Sequence, residues 1–262
     1  MTISIGLAGK GGTGKTTIAG LLIRYLVENG MTPVLAVDAD SNSNLNDILG
    51  LEVHLTLGNA REEMKKGVSV GMTKDIFMEM KVQEAVIESR GFDLVVMGRP
   101  EGAGCYCAAN TLLSASLERL IDNYKYVVID NEAGMEHISR LTTNNIDFLI
   151  CVSDPTRRGI QAASRIITLT EELGLSIGEK LLIVNQTKKD QESTIAGEVG
   201  RFDLNCVGTI PEDREIQEFD LTGRPTVELG RQNPALMAAY AIFGRIFGNG
   251  GKNDGIMGDC TE

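Results

Sequence analysis

A glycine-rich segment near the start of the chain has the residue types and spacing of a phosphate-binding loop. Gly9–Thr16 reads G-K-G-G-T-G-K-T and matches G-x-x-x-x-G-K-[ST] between an apolar run and an amphipathic stretch. We expect its backbone N–H groups to surround the phosphates, Lys15 to act in catalysis at the β- and γ-phosphates, and Thr16 to bind Mg²⁺. The residues predicted to bind nucleotide here are Gly9, Gly11, Gly12, Thr13, Gly14, Lys15, Thr16 and Thr17.

Two aspartates that follow apolar runs are predicted to complete the magnesium site. Asp130 ends the run Tyr126–Ile129, a pattern expected of the carboxylate that holds Mg²⁺ in nucleotide hydrolases. Asp38 follows Val34–Val37 and begins the acidic segment Asp38–Asp40. Its carboxylate supports either the magnesium ion or the loop, and capping of a helix N-terminus is the alternative.

Asn185, a polar residue that follows another apolar run, is a candidate for recognising the base of the nucleotide. Asn185 follows Leu181–Val184, and its amide offers the donor and the acceptor that adenine N7 and N6 require. A guanine site of the N-K-x-D kind needs a carboxylate at the fourth position, where this chain has Lys188. The sequence therefore favours ATP over GTP, with loop capping as the alternative role for Asn185.

Cys105 and Cys107 form a C-x-C pair that can bind a metal ion. In extended backbone, residues i and i+2 point to the same side, so both sulfurs can face one ion. A thiolate site typically has four ligands, and a two-fold dimer would supply the second pair. Thiolate affinity alone does not choose between nickel and zinc, and buried or redox-active thiols are the alternative. The remaining cysteines, predicted to lie in the core or in the tail, are Cys151, Cys206 and Cys260.

Apolar runs alternate with amphipathic stretches along almost the whole chain, which predicts βα units on a parallel sheet. Strands are predicted near Ile3–Ala8, Val34–Val37, Leu94–Met97, Tyr126–Ile129, Phe148–Val152, Leu181–Val184 and Val207–Ile210. Helices are predicted over Thr16–Glu28, Leu112–Asn123, Gln161–Leu173, Glu212–Leu221 and Pro234–Phe247. The segment Leu51–Arg90 should hold one or two helices and a short edge element. The expected fold is a doubly wound α/β sheet of about seven or eight mostly parallel strands with helices on both faces, which gathers the polar strand ends into one site.

Composition narrows the possible partners. The chain has 262 residues, 42% of them hydrophobic, and a formal net charge of -11. That charge disfavours nucleic acid as a partner because most of the surface would repel phosphate. No apolar run approaches the ~20 residues that span a bilayer and no leader pattern is visible, so no membrane partner and a cytoplasmic location are expected. We expect one ATPase domain over residues 1–247 with a C-x-C insert near 98–110, and a disordered tail over 248–262.

Lys10 is an extra lysine within the phosphate loop, and it makes this loop resemble the deviant Walker A motif of the MinD/ParA class of ATPases. The resemblance implies the P-loop NTPase fold and a homodimer around two ATP molecules, in which Lys10 reaches the partner's phosphates. Such a cation stabilises the leaving γ-phosphoryl as an arginine finger does, and a solvated lysine is the alternative. The resemblance also implies that Asp40 orients the attacking water, unless it caps a helix. It further implies that Asn131–Gly134 senses the γ-phosphate and that Pro211–Asp213 flanks the base.

Three segments together carry a narrower resemblance. Lys10–Thr17, Cys105–Cys107 and Asp130–His137 resemble the nickel-insertion accessory ATPases of carbon monoxide dehydrogenase and acetyl-CoA synthase. The resemblance covers about Met1–Phe247. It implies an ATP-dependent homodimer that binds Ni²⁺, or Zn²⁺ as a substitute, through the C-x-C pairs of both subunits and inserts nickel into the active-site cluster of one of those client enzymes. An iron–sulfur cluster carrier or reductase and a MinD/ParA-type positioning ATPase are the alternatives.

Overall fold

The computed structural model describes residues 1–40, 44–68, 71–98, 107–131 and 145–248. Strands and helices alternate along them, as the sequence pattern predicts. The strands are β1 (Ile3–Ala8), β2 (Val34–Ala39), β3 (Ile87–Glu88), β4 (Phe92–Val96), β5 (Tyr126–Asn131), β6 (Asn145–Ser153), β7 (Ser176–Thr187) and β8 (Cys206–Pro211). The helices are α1 (Lys15–Glu28), α2 (Leu45–Leu49), α3 (Leu57–Lys66), α4 (Lys74–Glu84), α5 (Cys107–Ile121), α6 (Arg157–Glu172), α7 (Glu192–Arg201), α8 (Arg214–Thr222) and α9 (Pro234–Phe247), with a 3₁₀ turn at Thr226–Glu228.

The strands form one eight-stranded sheet in the order β3-β4-β2-β5-β1-β6-β7-β8. All neighbours are parallel except the short edge strand β3, which is antiparallel to β4. From β1 the chain passes to β2 on one side of the sheet, and it later reaches β6 on the other. Ligands of open α/β sheets bind at such a switch point, beyond the carboxyl ends of the strands. The predicted fold class is confirmed.

Helices cover both faces of the sheet, which is why the central strands are apolar throughout their length. On one face α1 and α9 pack on the strands, and Leu22, Leu26 and Phe243 are fully buried there. On the other face α3, α4 and α5 cover the half formed by β2, β4 and β5. Helices α6 and α7 cover the half formed by β6, β7 and β8. The two packed layers hold the carboxyl ends of the central strands at one edge.

Several boundaries differ from the predicted ones. Helix α8 begins at Arg214 rather than Glu212, because the Asp213 carboxylate caps it by accepting two N–H groups of the first turn at 2.9 and 3.0 Å. Helix α5 begins at Cys107 rather than Leu112. Helices α2 and α7 are not predicted from the sequence: α2 is only five residues long, and two glycines weaken the helical pattern of α7.

The structure of the segment with the least regular sequence pattern agrees with the prediction. The segment Leu51–Arg90 contains α3, α4 and the edge strand β3. Other predicted features lie outside the described residues: Cys105, the residues after Asn131 that are predicted to sense the γ-phosphate, and the tail beyond Gly248. Across the described ranges, the structure contains no helix long and apolar enough to cross a membrane.

Candidate functional site

The phosphate loop joins β1 to α1 at the carboxyl edge of the sheet. Gly9 lies so close to β6 that an added Cβ atom would be 2.2 Å from the Val152 carbonyl oxygen, so a side chain does not fit. Gly14 precedes α1 with φ at 87°, and neither a side-chain cap nor an acidic residue occupies the first turn of that helix. The first N–H groups of α1 and its dipole therefore favour an anion at the loop.

The two lysines of the loop have different environments. Lys15 is 8% exposed, and its Nζ lies 3.4 Å from the backbone oxygen of Lys10. The Thr13 hydroxyl donates to the same oxygen at 2.9 Å, which closes the loop on itself. The Lys10 residue is exposed. A cation held inside the loop suits binding of phosphate to this chain, whereas an exposed cation is available to a second molecule.

Asp38 and Asp130 lie opposite each other on the paired strands β2 and β5, and both are fully buried. Burial raises the pKa of Asp38 to about 7, and the charges of Asp130 and Asp40 add to this effect. Burial also raises the pKa of Asp130 to about 6, although the neighbouring Thr16 hydroxyl and the charge of Lys15 oppose the shift. The two buried carboxylates therefore lack enough neighbouring positive charge to offset the cost of their burial.

The buried Oδ1 atom of Asp130 has no hydrogen-bond partner among the residues that the structure describes. A buried polar atom without a partner costs free energy until a ligand satisfies it. Thr16 adjoins this carboxylate from the first turn of α1. Carboxylate and hydroxyl oxygens are hard ligands of the kind that Mg²⁺ prefers, so the residues present fit a magnesium ion.

The Asp38 carboxylate organises the chain that follows β2. Its two oxygens accept backbone N–H groups, one from Asp40 at 3.1 Å and one from Leu45 at 3.0 Å. The sequence leaves magnesium binding, loop support and capping of a helix N-terminus open for Asp38. Because Leu45 is the first residue of α2, this geometry fits loop support and the capping alternative. Asp40 is half-buried and lines the adjacent cleft, and its role in orienting water stays a prediction.

A cleft of about 960 Å³ extends from the phosphate loop to the ends of β7 and β8. Most of the predicted nucleotide-binding residues line it. Those lining residues include Gly11, Gly12, Gly14, Lys15, Thr16, Thr17, Asp40, Asn185, Pro211 and Asp213. The volume is that of a small-molecule site, and the cleft brings the predicted phosphate end and the predicted base end together.

Two of the predicted base-reading residues have partners within the protein. The Asn185 amide nitrogen donates to the backbone oxygen of Thr13 at 2.8 Å. The Asp213 carboxylate accepts from the Asn233 amide at 3.0 Å in addition to capping α8. Asn185 retains an amide oxygen and a second N–H for a base, so base reading stays a prediction. Gln186 also contacts the phosphate loop, a contact that no sequence motif signals.

The predicted metal-binding cysteines are described only in part. Cys107 is the first residue of α5, and Cys105 lies outside the described residues. Within the described ranges, no three His, Cys, Asp or Glu side chains are grouped as a metal site. Cys151 and Cys206 are buried, as predicted for core thiols. Burial raises the pKa of Cys151 to about 12, which keeps its thiol protonated and unsuited to metal binding.

Comparison with known proteins decides the family. A model of the CobQ/CobB/MinD/ParA nucleotide binding domain matches residues 5–227. The chain belongs to this family. It is 42% identical over 247 residues to an uncharacterised ATP-binding protein of Methanocaldococcus jannaschii, with 92% of this chain and 97% of that protein covered. It is 30% identical over 275 residues to the carbon monoxide dehydrogenase accessory protein CooC of Rhodospirillum rubrum, with 97% and 100% covered.

Solved structures agree with the fold. The MinD cell division protein of Aquifex aeolicus superposes with a TM-score of 0.70 at 23% identity, covering 96% of this chain and 99% of that one. MinD of Pyrococcus horikoshii, solved with Mg-ADP, gives a TM-score of 0.70 at 22% identity, covering 94% and 96%. Membership of the CobQ/CobB/MinD/ParA family confirms the prediction that this protein is an ATPase.

Proposed function

We propose that this ATPase is a maturation factor that binds nickel and inserts it into the active-site cluster of carbon monoxide dehydrogenase or acetyl-CoA synthase. The observation that carries the proposal is the similarity to the carbon monoxide dehydrogenase accessory protein, which extends over 97% of this chain and the whole of that relative. A C-x-C pair that follows β4 and ends at the first residue of α5 gives the chain a soft-ligand pair suited to the cargo.

The proposed nucleotide chemistry uses the residues at the carboxyl edge of the sheet. Lys15 holds the β- and γ-phosphates, and Thr16 and Asp130 hold Mg²⁺, which supplies positive charge to the transferring phosphoryl group. Asp38 keeps the following loop in place through its two backbone contacts. Asp40 orients the attacking water. In the homodimer that we propose, the exposed Lys10 reaches the nucleotide of the partner subunit.

The proposed metal site is shared between subunits. Cys105 and Cys107 provide two thiolates, and the two-fold axis provides the same pair again, so that one nickel ion has four sulfur ligands. Four thiolates favour a near square-planar arrangement around Ni²⁺ and a tetrahedral one around Zn²⁺. A change in the distance between the subunits therefore changes the fit of the ion.

One backbone contact supports coupling between the nucleotide and the cysteine segment. Met97, which follows β4 and leads toward the C-x-C pair, donates its N–H to the Asp38 carbonyl oxygen at 2.9 Å. Its own carbonyl accepts the N–H of Gly58 at 2.8 Å, at the start of α3. Movement of the Asp38–Asp40 segment on ATP binding or hydrolysis would therefore reach the base of the cysteine segment directly.

Cysteine variants test the proposal. Under anaerobic conditions the wild-type protein should bind half an equivalent of nickel per protomer, measured by elemental analysis after gel filtration. Cys105→Ser and Cys107→Ser should each lose this nickel and the ability to activate the client enzyme, while ATP affinity stays unchanged. Cys260→Ser is the control, since that thiol lies outside the C-x-C pair, and it should behave as wild type.

Other outcomes identify the alternatives. Half an equivalent of nickel in both C-x-C variants would refute the shared site, and loss of ATP binding would mean that these cysteines are structural. Four iron atoms per dimer with broad brown absorption would identify an iron–sulfur protein. ATP-dependent sedimentation with liposomes, without nickel binding, would identify a positioning ATPase.

A further inference from the structure

Two consecutive side-chain amides at the end of β7 hold the backbone of the phosphate loop. The Asn185 Nδ2 atom donates to the Thr13 carbonyl oxygen at 2.8 Å, and the Gln186 Nε2 atom donates to the Gly12 carbonyl oxygen at 3.3 Å. Gly14 permits this approach, because an added Cβ atom there would lie 2.4 Å from the Asn185 nitrogen. We call these two hydrogen bonds the amide clamp.

The backbone of β7 is distorted where the clamp is built. Consecutive side chains of a regular strand point to opposite faces, so a regular β7 would send only one of the two amides to the loop. Here the pairing of β7 with β8 shifts register between Val184 and Thr187, and Gln186 has φ at 59°. The left-handed region is unfavourable for a residue with a side chain, and such a conformation persists where the surrounding structure requires it. The distortion turns both amides toward the phosphate loop.

The clamp fixes the direction of the loop's N–H groups. In a trans peptide the C=O and N–H point in opposite directions. With the Gly12 and Thr13 carbonyls held against the end of β7, the N–H groups of Thr13 and Gly14 point the other way, into the loop. The Thr13 N–H does point inward, donating to the Lys10 carbonyl at a long 3.4 Å that a phosphate oxygen can replace.

We propose that Gln186 is a positioning residue for nucleotide binding, which together with Asn185 preorganises the phosphate loop before ATP arrives. Glycine-rich backbone has many accessible conformations, and ordering it on binding would weaken affinity. The clamp lowers this cost. Once phosphates are bound, their own hydrogen bonds order the loop, so Gln186 acts on affinity rather than on the chemical step. This role belongs to the ATPase and does not depend on a metal cargo.

The test compares glycine substitutions at two left-handed positions. Gln186→Gly removes the amide and relieves the backbone strain, whereas Asp190→Gly relieves the same kind of strain at φ 73°, at an exposed residue just beyond the clamp. Gln186→Gly should raise the KM and the Kd for ATP about fivefold, as expected for one hydrogen bond, with kcat within about twofold. Its Tm should be equal to or above that of the wild type. Asp190→Gly should leave KM, Kd and kcat unchanged.

A second variant separates positioning from stability. Gln186→Ala loses the amide but keeps the strained φ, so it should weaken ATP binding as much as Gln186→Gly does and have a lower Tm than that variant. Amide hydrogen exchange over residues 9–16 should be faster in both Gln186 variants without ATP and equal to wild type with ATP. The proposal would be overturned if Gln186→Gly had an unchanged Kd for ATP, or if its kcat fell by the same factor as its KM rose. It would also be overturned if the loss of affinity in the two variants followed their loss of Tm.

Discussion

Replacing Asp130 with asparagine should stabilise the ATP-free protein while removing its magnesium-dependent activity. Asp130 is buried, its pKa is raised to about 6, and its Oδ1 has no hydrogen-bond partner within the described part of the chain. The folded protein therefore binds a proton at this carboxyl more tightly than the unfolded chain does. At neutral pH the ionised carboxylate is held at a cost that a neutral amide of the same shape avoids.

The size of the effect follows from the two pKa values. A carboxyl whose pKa rises from 3.8 to about 6 on folding lowers the free energy of unfolding at pH 7 by about 3 kcal/mol. At pH 5 the native carboxyl is mostly protonated, and the same linkage leaves a cost of about 1.5 kcal/mol. As pH rises from 5 to 7, ionisation of Asp130 therefore lowers the free energy of unfolding of the wild type by about 1.5 kcal/mol. The stability advantage of Asp130→Asn over the wild type grows by the same amount.

Urea unfolding at pH 5, 6, 7 and 8 measures this difference, in EDTA and without nucleotide so that no ion satisfies the carboxylate. Asp122→Asn is the control, because Asp122 is an exposed aspartate and its replacement should give the same pH dependence as the wild type. Steady-state hydrolysis with Mg²⁺ should be lost in Asp130→Asn and retained in Asp122→Asn. The reasoning is wrong if Asp130→Asn is no more stable than wild type at pH 7, or if its advantage is equal at pH 5 and pH 7.

Four further substitutions test the nucleotide site. Lys15→Ala should lose ATP binding in calorimetry, whereas Lys10→Ala should bind ATP normally and hydrolyse it at least about a hundredfold more slowly; full wild-type rates from a mixture of the two would contradict these roles. Asp40→Asn should bind ATP and accumulate as an ATP-bound dimer in gel filtration, with hydrolysis reduced about a hundredfold or more, and normal turnover would remove Asp40 from the mechanism. Gly9→Ala should unfold at lower urea because its methyl group collides with the Val152 carbonyl, and an unchanged midpoint would contradict that contact.

The sheet and the phosphate loop are predictable because their signals are local. Each buried strand is an apolar run long enough to recognise, and Gly9–Thr16 carries its spacing within eight residues. The carboxyl ends of parallel strands must meet at one edge, so Asp38, Asp130 and Asn185 could be placed together from the order of runs alone. The strand order and the pairing of Asp38 with Asp130 needed the structure, since several orders satisfy the same pattern.

The contacts that tune the site are not predictable from a motif, because they depend on where the folded chain places particular backbone atoms. The Asp38 carboxylate accepts the N–H of Leu45 at the start of α2, and Met97 donates to the Asp38 carbonyl between the neighbouring strands β4 and β2. Gln186 carries no motif, and only the irregular pairing between β7 and β8 turns its amide toward Gly12. A change in strand register cannot be predicted from the residue pattern of a single sequence.

The unfavourable features of this protein lie at the edge of the sheet where we propose that the nucleotide binds. The buried carboxylates of Asp38 and Asp130 and the strained backbone of Gln186 all lie at the carboxyl edge of the sheet. A ligand that binds only the folded state stabilises it in proportion to the logarithm of its concentration, and Mg²⁺ bound at the Asp130 carboxylate would offset the cost of that buried charge. Asp38 and Met97 share a backbone hydrogen bond at the same edge. The proposed nucleotide site therefore lies beside the segment that leads to the cysteine pair, which is the arrangement that the proposed coupling of hydrolysis to metal release requires.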